Sequence, residues 1–387
     1  MKIAICIVAY NRLTSVKRLF RSLEQARYCQ QVDLIVSIDK SDNTEVADYA
    51  KTLKWAFGEF IICEHAENLG LRKHILMCGK FLEKYDALIV LEDDIVVSPN
   101  FFIYATQCVE KYKEDDRIAG ISLYNFNVNY QNKLPFVPLK DSNDVYFMNC
   151  AQSWGQVWMR KQWFAFFCWY KDCSEEFADD EELPVCLSKW PKSSWLKYHT
   201  KYCIKENKYF VYPYLSLSTN NSDVGTHVNQ KSTLFQSVLS FCPQELYRLP
   251  SLDDSEIKYD GFFEAKFLAK YLGLDESDLC VDLNGEKRKQ KKYVLSRKVQ
   301  KYNLVKSFGL SYRPIELNIV IENPGDEIFL YDTELFAVNV IKERSLNFFK
   351  YTYGSALSYL LKNIGQLTLL QLLVAKCVRK IIGRKCF

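Results

Sequence analysis

One segment constrains this chain more than any other: residues 86–102, which read DALIVLEDDIVVSPNFF. Residues 87–91 are apolar throughout, as in a strand that is covered on both faces of a sheet. Three acids follow at once, before the pattern of a helix begins: Glu92, Asp93 and Asp94, called here the acidic triplet. The triplet is therefore predicted at the carboxyl end of a buried strand, which is where open α/β sheets bind ligands.

The acidic triplet favours a bound cation. Carboxylates packed together repel one another unless a hard cation such as Mg²⁺ or Mn²⁺ joins them. A diphosphate that is bridged to the protein by this cation is the ligand that such a site would accept. An acidic triplet can also be solvated surface, and the triplet alone leaves that alternative open.

Two earlier apolar runs have the same form as the strand before the triplet. Residues 2–10 end at Asn11-Arg12, and residues 33–38 end at Asp39. A helix with apolar residues at helical spacing follows the first run, so that strands and helices alternate. This alternation, with right-handed crossovers, predicts an α/β protein with a mostly parallel, Rossmann-like sheet that is flanked by helices and has its strand ends at one edge.

Four motifs, in this order, resemble nucleotide-sugar glycosyltransferases of the GT-A fold. They are AYNR at 9–12, SIDKS at 37–41, ENLGLR at 67–72 and LEDDIVVSPNFF at 91–102. Within that fold, the chain is most similar to N-acetylglucosaminyltransferase I and to bacterial family 2-like enzymes. The resemblance covers residues 1 to about 230, and it is specific in order and spacing as far as residue 102.

The resemblance implies a role for each motif. The triplet takes the part of the family's DxD motif, so that Asp94 binds Mn²⁺ or Mg²⁺ and the donor is a nucleoside-diphosphate sugar, with a UDP-sugar expected. The implied donor-binding residues are Ala9, Tyr10, Arg12, Asp39, Asn68, Gly70, Arg72, Glu92 and Asp93. His227, in a Thr-His turn that follows a strand, is implied as a further metal ligand, and a surface-loop histidine is the alternative.

An aromatic segment at residues 151–163 is similar to the acceptor-side loop of these enzymes. Tryptophan suits stacking on sugar rings, and glycine lets the backbone approach a ligand closely. Trp154 and Gly155 are therefore expected to bind the acceptor. Trp158 and Trp163 lie at helical spacing from Trp154, and core packing explains them equally well.

The general base is where the chain departs from the family. Similar inverting enzymes place an aspartate beside a tryptophan, but residues 192–197 read KSSWLK and contain no acid. Asp180 and Glu181 belong to the nearest acidic cluster and are the candidate bases, with a solvated loop as the alternative. Inversion is thus implied by resemblance alone, and a retaining or catalytically weakened enzyme stays open.

Three regions are expected along the chain. Residues 1–243 form the GT-A-like domain, residues 244–362 a smaller α+β region, and residues 363–387 a basic amphipathic tail helix. Within the second region, residues 315–322 and 327–331 are predicted as two strands across a tight turn. The tail can lie on an anionic membrane surface, and docking of the tail on the protein itself is the alternative.

Composition limits which binding partners and which cellular compartment are expected. A formal net charge of +4 is too small to argue for nucleic acid. The 14 cysteines lack paired metal-ligand spacing and indicate reduced thiols. We therefore expect a cytoplasmic protein, with the tail as its contact with the inner face of the membrane.

These features together predict a metal-dependent hexosyltransferase or N-acetylhexosaminyltransferase. It would move a sugar to a glycan or lipid-linked acceptor in surface polysaccharide synthesis. A sugar nucleotidyltransferase is the first alternative, but it should carry a glycine-rich phosphate loop after the first strand, and AYNRLTSVKR has no glycine. A noncatalytic glycan-binding protein on the same fold is the second alternative.

Overall fold

The computed structural model describes residues 1–174, 177, 180–221, 223, 232–337, 345–354, 370 and 374. Fifteen strands are found in these ranges. They are β1 (Ile3–Ala9), β2 (Asp33–Ile38), β3 (Phe60–Glu64), β4 (Ala87–Glu92), β5 (Ile95–Val97), β6 (Ile118–Ser122), β7 (Val145–Met148), β8 (Gln156–Met159), β9 (Tyr209–Pro213), β10 (Ser218–Asn220), β11 (Lys258–Tyr259), β12 (Leu279–Asp282), β13 (Tyr293–Ser296), β14 (Tyr302–Phe308) and β15 (Ile328–Phe336).

Nine of the strands form one sheet in the order β11-β7-β9-β6-β8-β4-β1-β2-β3. Strands β1, β2, β3 and β4 pair in parallel, and β6 and β9 run in the same direction, because β8 is antiparallel to both β4 and β6. Strands β7, β8 and β11 run the opposite way. Six strands therefore end at one edge, called here the carboxyl edge. The predicted α/β class with a mainly parallel sheet is confirmed.

Helices cover the sheet. Those in the described ranges are α1 (Leu13–Glu24), α2 (Glu45–Thr52), α3 (Gly70–Cys78), α4 (Phe101–Tyr112), α5 (Arg160–Asp172), α6 (Val185–Lys189), α7 (Leu196–Lys205), α8 (Leu268–Leu272), α9 (Leu317–Val320) and α10 (Ser345–Tyr353), with a 3₁₀ turn at Gly79–Glu83. Helix α1 shows why the chain folds this way. Its apolar residues at helical spacing, Val16, Leu19, Phe20 and Leu23, are all buried and belong to the core of the sheet.

A second, smaller sheet has the order β12-β13-β15-β14. Its apolar residues share one continuous core with the first sheet, and Leu295 and Leu330 are examples. Strand β11 and Tyr247, both beyond residue 243, also pack with the first sheet. The predicted division of the chain at residue 243 stays a prediction.

The predicted strand at residues 315–322 is wrong. Residues 317–320 form the short helix α9, and β15 instead pairs with β14. The side chain of Asn318 accepts hydrogen bonds from the backbone N–H of Ser311 at 2.8 Å and of Tyr312 at 3.0 Å, which holds the chain in a turn there. A short apolar run does not distinguish a strand from a buried helix by its periodicity.

The predicted tail helix at residues 363–387 lies outside the described residues, apart from Leu370 and Val374, which are exposed. Within the described part of the chain, none of the helices combines the length and apolar character that crossing a bilayer requires.

Candidate active site

The acidic triplet lies at the carboxyl edge, where the residues after β1 and β4 meet. Parallel pairing aligns Val8 with Glu92, so the turns that follow the two strands are neighbours. The Arg12 guanidinium forms an ion pair with the Asp93 carboxylate, and its Nε donates to Asp93 Oδ2 at 3.3 Å. The same guanidinium lies 3.2 Å from Asp94 Oδ2. Arg12 therefore bridges two of the three acids.

One arginine does not balance three acids, of which Asp93 is buried and Glu92 and Asp94 are half-buried. Burial raises the pKa of Asp93 to about 6, even though Arg12 and the backbone N–H of Tyr10 oppose the shift. Burial, followed by the nearby charges of Asp94 and Asp93, raises the pKa of Glu92 to about 8. Full ionisation of the triplet is thus unfavourable in the protein alone, and an added positive charge would make it more favourable.

The chemistry of Asp94 fits a hard cation. Its Oδ1 atom is buried and has no hydrogen-bond partner among the described residues. The described ranges hold no cluster of three or more histidine, cysteine, aspartate or glutamate side chains arranged around a metal. Mg²⁺ is commonly bound by one or two carboxylates together with substrate phosphates and water, so a sparse protein ligand set is compatible with a metal–diphosphate complex. The predicted ligand His227 lies outside the described residues.

Asp39 holds the turn that precedes α3. Its Oδ1 accepts from the backbone N–H groups of Lys40 at 3.0 Å and Leu69 at 2.8 Å, and its Oδ2 accepts from Gly70 N–H at 2.9 Å. Gly70 has φ of +71°, in the left-handed region that favours glycine. Asn68 donates to the Lys40 carbonyl at 2.8 Å. The predicted donor-binding residues Asp39, Asn68 and Gly70 are therefore brought together at the end of β2.

Arg72 faces α7. It lies on α3, and its guanidinium donates to the Tyr198 hydroxyl at 2.8 Å and lies over the Tyr198 ring at 5.3 Å. Ala9 and Tyr10 lie at the end of β1, where Ala9 is buried and Tyr10 is exposed. The structure thus distributes the predicted donor residues along the carboxyl edge after β1, β2 and β4 and on the first turn of α3.

Trp195 is a site residue that sequence reasoning missed. It lies just before α7, and its side chain lies beside the Glu92 carboxylate, where it opposes the rise in the pKa of that acid that burial causes. The ring also packs edge-on against Trp158, with 5.9 Å between the ring centroids. The KSSW segment has no acid of its own, but the fold brings its tryptophan to an acid that lies far away in the sequence.

Trp154 and Gly155 also lie near the carboxyl edge. Gly155 has φ of +100°, and a Cβ there would lie 2.8 Å from Ser218 Oγ, so a larger residue would clash. The half-buried ring of Trp154 lies 4.9 Å from Tyr124 and 5.5 Å from Phe235.

The other two tryptophans of the aromatic segment are structural. Trp158 and Trp163 are buried and stack on each other, with ring centroids 3.8 Å apart. For these two residues, the core-packing interpretation is correct.

The two candidate bases lie away from the acidic triplet. Asp180 pairs at 2.7 Å with Lys205, the last residue of α7, whereas Trp195 contacts Glu92 just before that helix begins. Ten helical residues rise about 15 Å. Glu181 lines a cavity of about 290 Å³ between the two sheets. The structure therefore does not bring these acids together with the triplet, and no described contact assigns a general base.

Strand β10 brings a second polar segment to the triplet. It pairs antiparallel with β5, and the backbone N–H of Asn221 donates to the Asp94 carbonyl at 2.8 Å. Asp223 then accepts from Ser15 Oγ at 3.0 Å and forms an ion pair with Arg18 on α1. The sequence contains no local signal that this segment lies beside residues 92–94.

The N-terminal region of the chain matches the model of a known family. Residues 4–165 match the family model for glycosyl transferase family 2. This part of the chain is therefore similar to family 2 glycosyltransferase domains, which agrees with the resemblance inferred from the four motifs. The matched residues include most of β1, all of β2 to β8 and the whole acidic triplet.

Among solved structures, the chain is similar to TarS from S. aureus. For TarS 1-349, the similarity covers 57% of this chain and 61% of that one, with 13% identity and a TM-score of 0.38. For the TarS complex with UDP-GlcNAc, it covers 59% and 60%, with 13% identity and a TM-score of 0.40. The chain thus matches about three fifths of the length of these structures.

A second similar structure is the mannosyltransferase PcManGT from Pyrobaculum calidifontis, in complex with GDP-Man and Mn²⁺. The similarity covers 41% of this chain and 45% of that one, with 11% identity and a TM-score of 0.31. No curated protein matches the chain.

Proposed function

We propose that this protein is a metal-dependent glycosyltransferase that moves a sugar from a nucleoside-diphosphate sugar to an acceptor hydroxyl. One observation carries the proposal: in a region similar to family 2 domains, Asp94 places a buried, unpartnered carboxylate oxygen beside the arginine-bridged Asp93, within the part of the chain that the structure describes. A carboxylate left in this state is suited to a cation, and the carboxyl edge is where this class of sheet binds its ligands.

The residues of the site would act in three ways. Arg12 orients Asp93 and Asp94 through its contacts with both. Trp195 lies beside Glu92 and would favour the ionised form of its carboxylate. When Mn²⁺ or Mg²⁺ is bound at Asp94, it supplies positive charge for the diphosphate that leaves the sugar.

The remaining details of the proposal come from the sequence. We propose a UDP-sugar donor, a hexosyl or N-acetylhexosaminyl group, inversion at the anomeric carbon and an acceptor that is a glycan or is linked to lipid. Trp154 and Gly155 are the proposed acceptor contacts, and His227 is the proposed additional metal ligand. Surface polysaccharide synthesis at the inner face of a membrane, with residues 363–387 as the contact, is the setting that these choices favour.

A donor-hydrolysis assay tests the proposal against its alternatives. The full chain is incubated with a panel of UDP-, GDP- and dTDP-sugars, with and without Mn²⁺, and the products are separated by anion-exchange chromatography. We expect release of free nucleoside diphosphate that depends on Mn²⁺. Release of pyrophosphate on supplying a nucleoside triphosphate and a sugar phosphate would indicate a nucleotidyltransferase instead, and binding of sugar nucleotides or glycans without turnover would indicate a noncatalytic protein.

A further inference from the structure

Asn221 and Asp94 are cross-strand neighbours beside the acidic triplet. The antiparallel register of β5 and β10 pairs Asn220 with Ile95, so the next pair outward is Asn221 with Asp94. The hydrogen bond of 2.8 Å from Asn221 N–H to the Asp94 carbonyl continues this register. Opposed residues in an antiparallel pair project to the same side, with Cβ atoms about 5 Å apart.

These two neighbouring side chains do not satisfy each other. Asn221 Nδ2 and Asp94 Oδ1 are both buried, and neither has a hydrogen-bond partner in the described part of the chain. An amide donor and a carboxylate acceptor could bond directly at this spacing. A buried polar atom that is left without a partner is unfavourable, so the arrangement indicates a ligand that serves both atoms.

The two atoms call for opposite partners. The carboxylate oxygen of Asp94 requires a cation or a donor, whereas the amide nitrogen of Asn221 requires an acceptor oxygen. A cation that carries an anionic oxygen ligand meets both demands at once. Among the ligands of the proposed reaction, a metal-bound diphosphate has this composition.

We infer that Asn221 binds the donor diphosphate, with its side-chain N–H donating to a phosphate oxygen while Asp94 binds the cation. This inference rests on the proposed function. A neutral amide adds a donor beside the triplet without pairing with Asp94 as a lysine or arginine would, so Asp94 stays available for the cation. The Asp223 contacts with Ser15 and Arg18 anchor the chain two residues farther on and hold Asn221 at the triplet.

The test is isothermal titration calorimetry of the full chain with UDP, GDP and UMP in the presence of Mn²⁺. We expect Asn221→Ala to weaken binding of the preferred diphosphate about tenfold, the loss of one hydrogen bond to a charged group. The ratio of diphosphate to monophosphate affinity should fall by the same factor. Asn220→Ala is the matched control, since the adjacent strand residue projects to the other face and should keep the wild-type affinity.

A second variant separates ligand binding from folding. Asn221→Asp keeps the size of the side chain but sets a negative charge against the phosphate, so we expect a larger loss of diphosphate affinity than for alanine. Far-UV circular dichroism and thermal unfolding establish that each variant is folded. The affinity for Mn²⁺ alone, measured by electron paramagnetic resonance of the free ion, should be unchanged in Asn221→Ala.

Three results would overturn the inference. If the folded Asn221→Ala variant binds the diphosphate as tightly as the wild type, the inferred hydrogen bond does not form. Weaker binding of Mn²⁺ alone in that variant, or tighter binding in Asn221→Asp, would make the side chain a metal ligand instead. If the wild-type protein binds no nucleoside diphosphate at all, the proposed function itself fails, and a loss confined to Asn221 variants cannot be confused with that result.

Discussion

Helix α7 joins two clusters of charge that differ in how completely they are paired. Before its first turn, Trp195 contacts Glu92 of the acidic triplet. At its last residue, Lys205 contacts Asp180 at 2.7 Å and Glu182 at 2.9 Å. The second group, called here the lysine cluster, continues with the pair Lys289–Glu182 at 2.8 Å and lines the cavity between the two sheets.

This difference in charge pairing indicates which cluster is available to bind a ligand. In the lysine cluster, hydrogen bonds from Lys289 and Lys205 lower the pKa of Glu182 to about 2, so the acid is ionised and already has its counter-charges. In the triplet, three acids share Arg12, and burial raises the pKa values of Glu92 and Asp93. The charges between the two sheets are already paired, whereas an unbalanced buried group at a strand end is a candidate for binding.

The largest expected effect comes from removing Asp94, and an acid near the other end of α7 provides the control. We expect Asp94→Ala to lower metal-dependent donor turnover by roughly 100-fold or more, the scale of losing one electrostatic contact at a reacting centre. Asp180→Ala, the matched control in the lysine cluster, should change turnover less than about twofold, because surface ion pairs contribute little energy. Steady-state assays with Mn²⁺ measure both, with circular dichroism to establish folding.

Either variant can contradict the comparison. Full turnover in Asp94→Ala would show that the triplet is not the metal site. Loss of turnover in a folded Asp180→Ala would restore that residue as a general base, and the two clusters would then share one reaction.

The middle of α7 gives the next largest effect, on stability at acid pH. His199 is 1% exposed, stacks on Phe166 with centroids 4.1 Å apart, and has no hydrogen-bond partner on either ring nitrogen among the described residues. Burial lowers its pKa to about 3. Below pH about 6.5 the unfolded chain takes up a proton that the folded chain resists, so the free energy of unfolding falls as the pH drops toward 3.

We therefore expect His199→Phe to lose less stability than the wild type on acidification. The loss in the free energy of unfolding between pH 7.5 and pH 5.0 should be smaller in the variant by on the order of 2 kcal/mol, which is the linkage energy of such a pKa difference at pH 5. Urea denaturation at the two pH values measures it. Parallel pH profiles of the two proteins would show that His199 is protonated as easily in the folded chain as in the unfolded one.

The smallest effect is expected in the lysine cluster itself. Glu182→Gln removes an acid whose side chain is 48% exposed, so the free energy of unfolding at pH 7 should fall by less than about 1 kcal/mol. The lowered pKa means that the stabilisation is complete above pH about 4.5 and is lost as the pH falls toward 2. Thermal unfolding at pH 7 and pH 3 checks both points. A loss well above 1 kcal/mol at pH 7 would mean that the pairing in this cluster is more than an exposed network.

The parts of the fold that were predictable are those that local periodicity specifies. The buried strand before the triplet, the first helix and the strand that ends at Asp39 all agree with the structure, because burial on both faces or on one helical stripe leaves a direct pattern in the sequence. The prediction of a strand at residues 315–322 was wrong because this apolar run is short. Its periodicity does not distinguish the helix α9 from a strand.

The contacts that complete the candidate site were not predictable. Trp195 meets Glu92 across about 100 residues of sequence, and Asn221 meets Asp94 across still more. Nothing in the residues around either one records its partner. The four motifs located the strand ends, but they did not reveal which side chains face one another there.

The sequence by itself determined that a buried strand delivers three acids to a sheet edge, since an apolar run must be covered and the charges that follow it must reach water or a counter-ion. The tertiary structure alone decided how those charges are balanced. Arg12, Trp195 and Asn221 arrive through β1, α7 and β10, and strand pairing and helix packing bring them to the triplet. Pairing between distant strands is a property of the whole sheet, so the unpartnered oxygen of Asp94 could be found only in the folded chain.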